Sequence, residues 1–269
     1  MSSEPIFIGG MFKSGTTLLR NLLGQHPLIY AGFETKWMLL RDETKRKERL
    51  DILAKLYDWE ESDVVSLWQE EKQAESFLES FMKKNLARAG KSRWVEKSPE
   101  NVAFIDDVLA YWPQAKFLHI VRDPRDVFVG RREAKGLTLE HFVEVYDSLF
   151  QPSYHWLGTC SENYMELRYE DLVADTEMVM RQVSHFVKVP WDEVISFYQG
   201  NSNDYKIVKE ITGKEQTTLK KLTNPMTDAY VGRWKNEITQ KEAKFIQDKL
   251  FMYMKPFKYF DGKILYENI

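Results

Sequence analysis

At 269 residues, with 43% apolar and 29% charged residues, the chain is long enough to bury a sizeable core and too apolar to remain disordered. Its formal net charge of -3 argues against a dominant polyanion-binding surface, so no nucleic-acid partner is expected, although a local basic pocket stays open. Cys160 is the only cysteine, which excludes an intrachain disulfide and a paired-thiol metal site.

In chain order, residues 5–8 form a short apolar, β-branched run closed by Gly9-Gly10, which reads as a buried strand. From Thr16, leucines at 18, 19, 22 and 23 recur at helical spacing until Gly24 and Pro27 stop them. Residues 38–92 contain no proline and repeat apolar residues near a 3.6 period, so several helices are expected there. The charge run RDETKRKER at 41–49 reads as a solvated helix face or connection. Residues 93–97 read as a second strand ended by Ser98-Pro99, with a helix around 101–111. Residues 115–121 form the best strand of the sequence, broken at Arg122-Asp123-Pro124. Residues 164–169 read as another strand, residues 170–187 as one helix, and the stretch after 237 as an amphipathic helix whose aromatic end packs in the core.

Alternating strands and helices predict a single α/β domain over 1–269, with a central parallel sheet, flanking helices and a helical insertion. Such sheets bind ligands at the C-terminal ends of their strands, and here each strand ends in a polar cluster. No leader-like segment opens the sequence, and no apolar run approaches the roughly 18 residues of a membrane span, so a cytoplasmic protein is expected. Nothing in the sequence excludes a homodimer.

The first strand runs into Gly10-Met11-Phe12-Lys13-Ser14-Gly15-Thr16-Thr17, which has the glycine spacing of a Walker A loop with threonine in place of its lysine. What survives is an anion cradle: glycines let backbone N–H groups converge, the helix N-terminus adds its dipole, and Lys13 supplies charge. A P-loop kinase would need the missing lysine and a Walker B carboxylate. A non-catalytic nucleotide-binding protein of the same fold is the second rival.

The stretch K-S-G-T-T-L-L resembles the 5′-phosphosulfate loop of the sulfotransferase family, nearest to its tyrosylprotein and bacterial branch. The resemblance implies a P-loop NTPase-like sulfotransferase fold and 3′-phosphoadenosine 5′-phosphosulfate (PAPS) as donor, with PAP as product and no metal. Lys13, Ser14, Gly15, Thr16, Thr17 and Leu18 would then wrap the phosphosulfate. A second match, FLHIVRDPRDV at 117–127, resembles the family's 3′-phosphate motif and assigns Arg122 to that phosphate, a contact that suits a planar guanidinium. The family's serine eight residues further on is Gly130 here, which puts one contact in doubt. LRYEDL at 167–172 places Tyr169 by the adenine, and GRWKN at 232–236 makes Arg233, Trp234 and Lys235 candidates for closing over the nucleotide.

Sulfuryl transfer also needs a base and cations around the leaving oxygen. The K-x-H pattern of the small-molecule branch is absent, since Lys97 is followed by Ser98-Pro99. GFETK at 32–36 instead resembles the tyrosylprotein branch's G-x-E-T-[RK] and makes Glu34 the base, with Lys13 and Lys97 flanking the leaving oxygen. Either burial raises the Glu34 pKa, or concerted transfer suffices. His26 reads as a helix C-terminal cap and His119 as a structural strand residue. The acceptor is a hydroxyl on a peptide, a glycan or a small molecule, and the sequence does not choose among them.

Overall fold

The computed structural model describes residues 4–196, 203–213, 220, 223, 224 and 226–260. Among these, strands β1 (Ile6–Gly9), β2 (Ile29–Ala31), β3 (Arg93–Lys97), β4 (Lys116–Val121) and β5 (Tyr164–Arg168) form one sheet in the order β2-β3-β1-β4-β5. Every pairing is parallel, with Ile6 opposite Val95 and Lys116, and Ala31 also opposite Val95. The α/β class and the central parallel sheet are therefore as expected.

The period-2 alternation of strands explains why both faces are apolar. Phe7, Trp94 and Phe117 point into one cluster, while Ile6, Ile8, Val95, Leu118 and Ile120 point into the other. The second face is covered by α1 (Thr16–Gly24), through Leu18, Leu19, Leu22 and Leu23, and by α9 (Thr176–Phe186), through Val179, Met180 and Val183. The first is covered by α2 (Glu43–Tyr57), α4 (Ala74–Arg88), α5 (Ile105–Tyr111), α7 (Leu139–Phe150) and the helix Gln240–Met254. Each fully buried aromatic or aliphatic side chain here is worth roughly 1.5–3 kcal/mol relative to exposure. The expected helical insertion comprises α2, α3 (Glu61–Glu71) and α4, between β2 and β3. Tyr253 and Tyr259 of the C-terminal aromatic group are buried, as expected for core packing.

Four local readings are corrected. β2 was not anticipated: three residues following His26-Pro27 are too few to show a strand period, and pairing with β3 supplies their structure. The helix expected over 170–187 is two helices, α8 (Tyr169–Ala174) and α9, because the Asp175 side chain turns back to accept from Met178 N and starts a new helix. The helix expected around 101–111 starts as a 3₁₀ turn, Pro99–Phe104, before α5. The charge run is not solvated throughout, since Arg49 is buried, while Arg41 pairs at the surface with Glu75 and Asp107.

No helix among the described residues is long and apolar enough to cross a membrane. Asp175→Ala removes the cap that splits the two helices and is expected to lower unfolding free energy by about 1 kcal/mol. Urea denaturation with an unchanged m-value would register that loss, and a midpoint within error of wild type would refute it.

Candidate active site

The chain leaves all five strands on the same edge of the sheet, and the expected site residues follow those ends. After β1, the loop to α1 is packed tightly. A Cβ on Gly15 would stand 2.6 Å from the Tyr169 ring, and the residue has φ 104°, so only glycine fits. Lys13 also lies in the left-handed region, at φ 75°, a conformation that costs a non-glycine residue about 1–3 kcal/mol. That geometry turns the Lys13 carbonyl toward β4, where it accepts from Arg122 Nη1 at 2.9 Å. Thr16 and Thr17 open α1, and the Leu18 side chain is in the core, leaving only its backbone to the loop.

Arg122, just past β4, is buried and joins three segments. It bonds Lys13 O, donates to Tyr230 O, and stacks on the Tyr169 ring at 4.4 Å. Its Nε and the nearby Ser14 Oγ are buried polar atoms without a hydrogen-bond partner among the described residues. Two such groups at a glycine loop fit an anionic ligand. Asp123 caps α6 (Pro124–Lys135) by accepting from Arg125 N at 2.9 Å, and Arg125 lies 3.7 Å over Trp234. Asp126 accepts from Gly232 N at 2.7 Å and Trp234 N at 2.9 Å, so the R-D-P-R-D turn itself carries the 232–236 segment. Burial raises the Asp126 carboxyl, against those two bonds and Arg122.

Gly130 lies on α6 beside Lys13. A Cβ there would meet Lys13 Cβ and Cγ at 3.5 and 3.6 Å, ordinary contact distances, so a serine would fit. Arg233 pairs with Glu133 and Glu237, and Lys235 Nζ lies 5.9 Å from the Trp234 ring centre.

Glu34 stands three residues beyond β2, and Lys97 ends β3. The Lys97 ammonium donates to the Glu34 carboxylate and, at 3.1 Å, to Thr17 Oγ1, linking strand-end residues to the glycine loop. Lys36 lies 3.8 Å from the Glu34 carboxylate and 3.1 Å from Glu100. Burial by itself raises the Glu34 carboxyl, but the Lys97 and Lys36 charges and the Lys97 hydrogen bond overcome it and hold the group at about 2. Burial does not, in this arrangement, make Glu34 a stronger base. Lys97 is pushed down, chiefly by burial and further by Arg20, while Glu34 opposes the shift.

Reading the sequence missed four contributors. Arg20, one helical turn after Thr17, is buried, donates to Gly32 O at 3.1 Å and pairs with Asp204 of α10 (Asn203–Thr212). The i, i+3 spacing from Thr17 was a legible signal. Arg49 donates to Thr35 O at 2.5 Å and to Glu34 O, but its place inside a charge run hid it. Glu96 was an acidic residue within a buried parallel strand, a pattern that asks for partners. The fourth, Asp204, carried no local signal. Glu34, Lys97 and Thr17 open on a cavity of about 500 Å³ walled by α2 and α10.

His26 follows α1 but, contrary to expectation, its buried ring does not cap the helix carbonyls. Its Nδ1 accepts from Leu28 N, and its other ring nitrogen meets Pro190 O at 2.9 Å. His119 is buried against the Tyr164 hydroxyl at 2.7 Å, as a structural strand residue should be.

The sulfotransferase family model matches residues 5–193. A protein-tyrosine sulfotransferase of Drosophila melanogaster is 27% identical over 255 residues, covering 87% of this chain and 47% of its own length. The chain spans about half the length of curated relatives such as this one. Among solved structures, the sulfotransferase domain of the Synechococcus PCC 7002 olefin synthase superposes with TM-score 0.64 at 19% identity, covering 97% of each chain. A mouse sulfotransferase complexed with PAP superposes with TM-score 0.51 at 15% identity, over 95% of this chain and 84% of its own. These two likenesses establish the fold.

The Glu34–Lys97 pair makes a pH prediction. A carboxyl whose folded pKa is depressed stabilises the fold above its unfolded pKa, near 4.3, and that stabilisation is lost as pH falls through about 2. The stability advantage of wild type over Lys97→Met is therefore expected to be greatest above pH 5 and to shrink steadily toward pH 2. Chemical denaturation at several pH values measures it, and a difference independent of pH would count against the pair.

Proposed function

The chain belongs to the sulfotransferase family, and from that premise we propose that it transfers the sulfuryl group of PAPS to an acceptor hydroxyl, with Glu34 as the base. The observation that carries the reading is the Glu34–Lys97–Thr17 linkage, which joins a carboxylate, an ammonium and the glycine loop at the mouth of one cavity. The solved mouse neighbour with PAP is consistent with this donor. We also assign the whole of 1–269 to one sulfotransferase domain.

Bound in the loop, the donor would supply an activated sulfuryl group and an anionic leaving oxygen. The backbone N–H groups of Gly15 to Leu18 and the hydroxyls of Ser14, Thr16 and Thr17 would hold the phosphosulfate, using the N-terminus of α1, while the Ser14 N–H is already given to Met11 O. Arg122 would receive the 3′-phosphate without a donor from Gly130, whose N–H is committed within α6, while Tyr169 would flank the adenine, and Arg233, Trp234 and Lys235 would close the far side.

The pairing of Glu34 with Lys97 fixes the order in which charges are used. While Lys97 is bonded to Glu34, the carboxylate is a weak base. Two of the three Lys97 ammonium hydrogens go to Glu34 and Thr17, and as the group turned toward a leaving oxygen its bond to Glu34 would loosen and burial would raise the Glu34 carboxyl. The base therefore gains strength as the cation turns to the leaving group, with Lys13 on the other side. A proton from an acceptor hydroxyl in the cavity would pass to Glu34 as that oxygen bonds sulfur and the bond from sulfur to the bridging phosphate oxygen breaks, releasing PAP.

Phe33, Ile52, Leu56, Val208 and Ile211 line the cavity together with charged side chains of α2 such as Glu48, Asp51 and Lys55, so its wall offers both apolar and polar contacts to a hydroxyl-bearing acceptor.

Glu34→Gln is expected to reduce transfer of labelled sulfate from PAPS, assayed on tyrosine peptides, phenols and glycans, by roughly a hundred- to ten-thousand-fold with PAP affinity intact. Near-normal turnover would remove Glu34 from the role of base. Arg122→Ala is expected to cut the preference for PAP over adenosine 5′-phosphate by roughly ten- to a hundred-fold in calorimetric titration. A preference equal to wild type would show that Arg122 does not read the 3′-phosphate.

A further inference from the structure

The chemistry above makes no use of Glu96, yet this carboxylate is fully buried beside both residues that do the work. It ends up with four donors. Thr35 N reaches it at 3.2 Å, Thr35 Oγ1 at 2.7 Å and Ser98 Oγ at 2.7 Å, all on Oε1, while Asn101 Nδ2 donates to Oε2. The partners cannot reverse these roles. Ser98 Oγ accepts from Lys36 N at 3.0 Å, so its own hydrogen is left for Glu96. Asn101 is fixed at both ends, because its Oδ1 accepts from the Trp37 indole at 3.1 Å and its Nδ2 also donates to Ile8 O at 3.0 Å. An acceptor-only group is required, and a glutamine would set its amide hydrogens against donors.

The network joins three strand ends: Ile8 of β1, residues 96–98 of β3, and residues 35–37 beyond β2. Thr35 is next to the base and Glu96 is next to the cation. We propose that Glu96 is a positioning residue: by holding Thr35 through its backbone and side chain, it fixes the loop that presents Glu34 to Lys97. This inference rests on the reading of Glu34 and Lys97 as base and cation. A shift of the carboxylate by about 1 Å is the scale on which transfer rates drop by a hundredfold. Burial pushes the Glu96 carboxyl up while its four hydrogen bonds push it down, so loss of any donor favours the protonated form that no longer accepts at every position.

Two variants test the proposal, Glu96→Gln and Thr35→Val, the second because the first risks misfolding. With labelled PAPS and 4-nitrophenol or a tyrosine peptide as acceptor, each is expected to lower kcat about ten- to a hundred-fold. PAP affinity and the acceptor KM should stay within about twofold, and the double variant should cost little more than either single one, because both break the same link. Additive losses, or a lower Tm with kcat unchanged, would reduce Glu96 to a structural residue. A second measurement does not depend on turnover. In ¹³C NMR titration, the Glu34 carboxyl is expected to rise by about one unit in either variant as the bond to Lys97 loosens. If wild type transfers to neither acceptor but Glu34 shifts, the assignment of function fails and the positioning role stands. A Glu34 titration identical to wild type in both variants overturns the proposal.

Discussion

A buried ammonium shared between a carboxylate and a threonine organises this molecule. Lys97 is held at the end of the second strand in from the sheet edge, where burial penalises its charge, and it is tolerable there only because Glu34 answers it. The same ion pair constrains Glu34, which is kept a carboxylate but a poor base. The fold thus holds a carboxylate whose proton affinity is suppressed by a neighbouring ammonium, and turning that ammonium away would restore it. A pair of this kind adds little net stability, since desolvation offsets most of the attraction. Its value lies in the coupling.

The geometry around the pair follows from the parallel sheet. Every strand delivers its C-terminal end to one edge, so the glycine loop, the 32–36 segment, Lys97, Arg122 and Tyr169 converge without any long-range design beyond strand order. Within that edge, each group serves its neighbour. Tyr169 packs on Gly15 and on Arg122, Arg122 holds Lys13, and Asp126 carries the 232–236 segment. The R-D-P-R-D turn has a structural role of its own, because its aspartates and second arginine build the wall on which Trp234 rests.

The insertion and α10 divide the remaining labour. Apolar and charged side chains of α2 and α10 together form the cavity wall, while Arg20 and Arg49 reach under the 31–35 segment to hold its carbonyls. Arginines recruited to backbone carbonyls rather than to ligands stiffen a short loop that has no secondary structure of its own. Most of the 41–49 run is solvated as expected, Arg41 pairing at the surface, and the reading fails only for Arg49, whose charge is spent on internal carbonyls.

The sequence alone made legible the class of fold, four of the five strands and the glycine loop, and it singled out Glu34, Lys97 and Arg122 as candidates. Those features are local: alternation, turn residues and short motifs act over a few positions. It could not reveal β2, the split at Asp175, or the partners of Arg20 and Arg49, since each depends on groups brought close by folding. Three residues become a strand only because β3 lies beside them, and that pairing is what carries Glu34 to Lys97 across 63 positions of sequence. The base strength of Glu34 was equally out of reach. A motif names the carboxylate, but the balance of burial against two ammonium charges that sets its proton affinity exists only once the chain has closed around it.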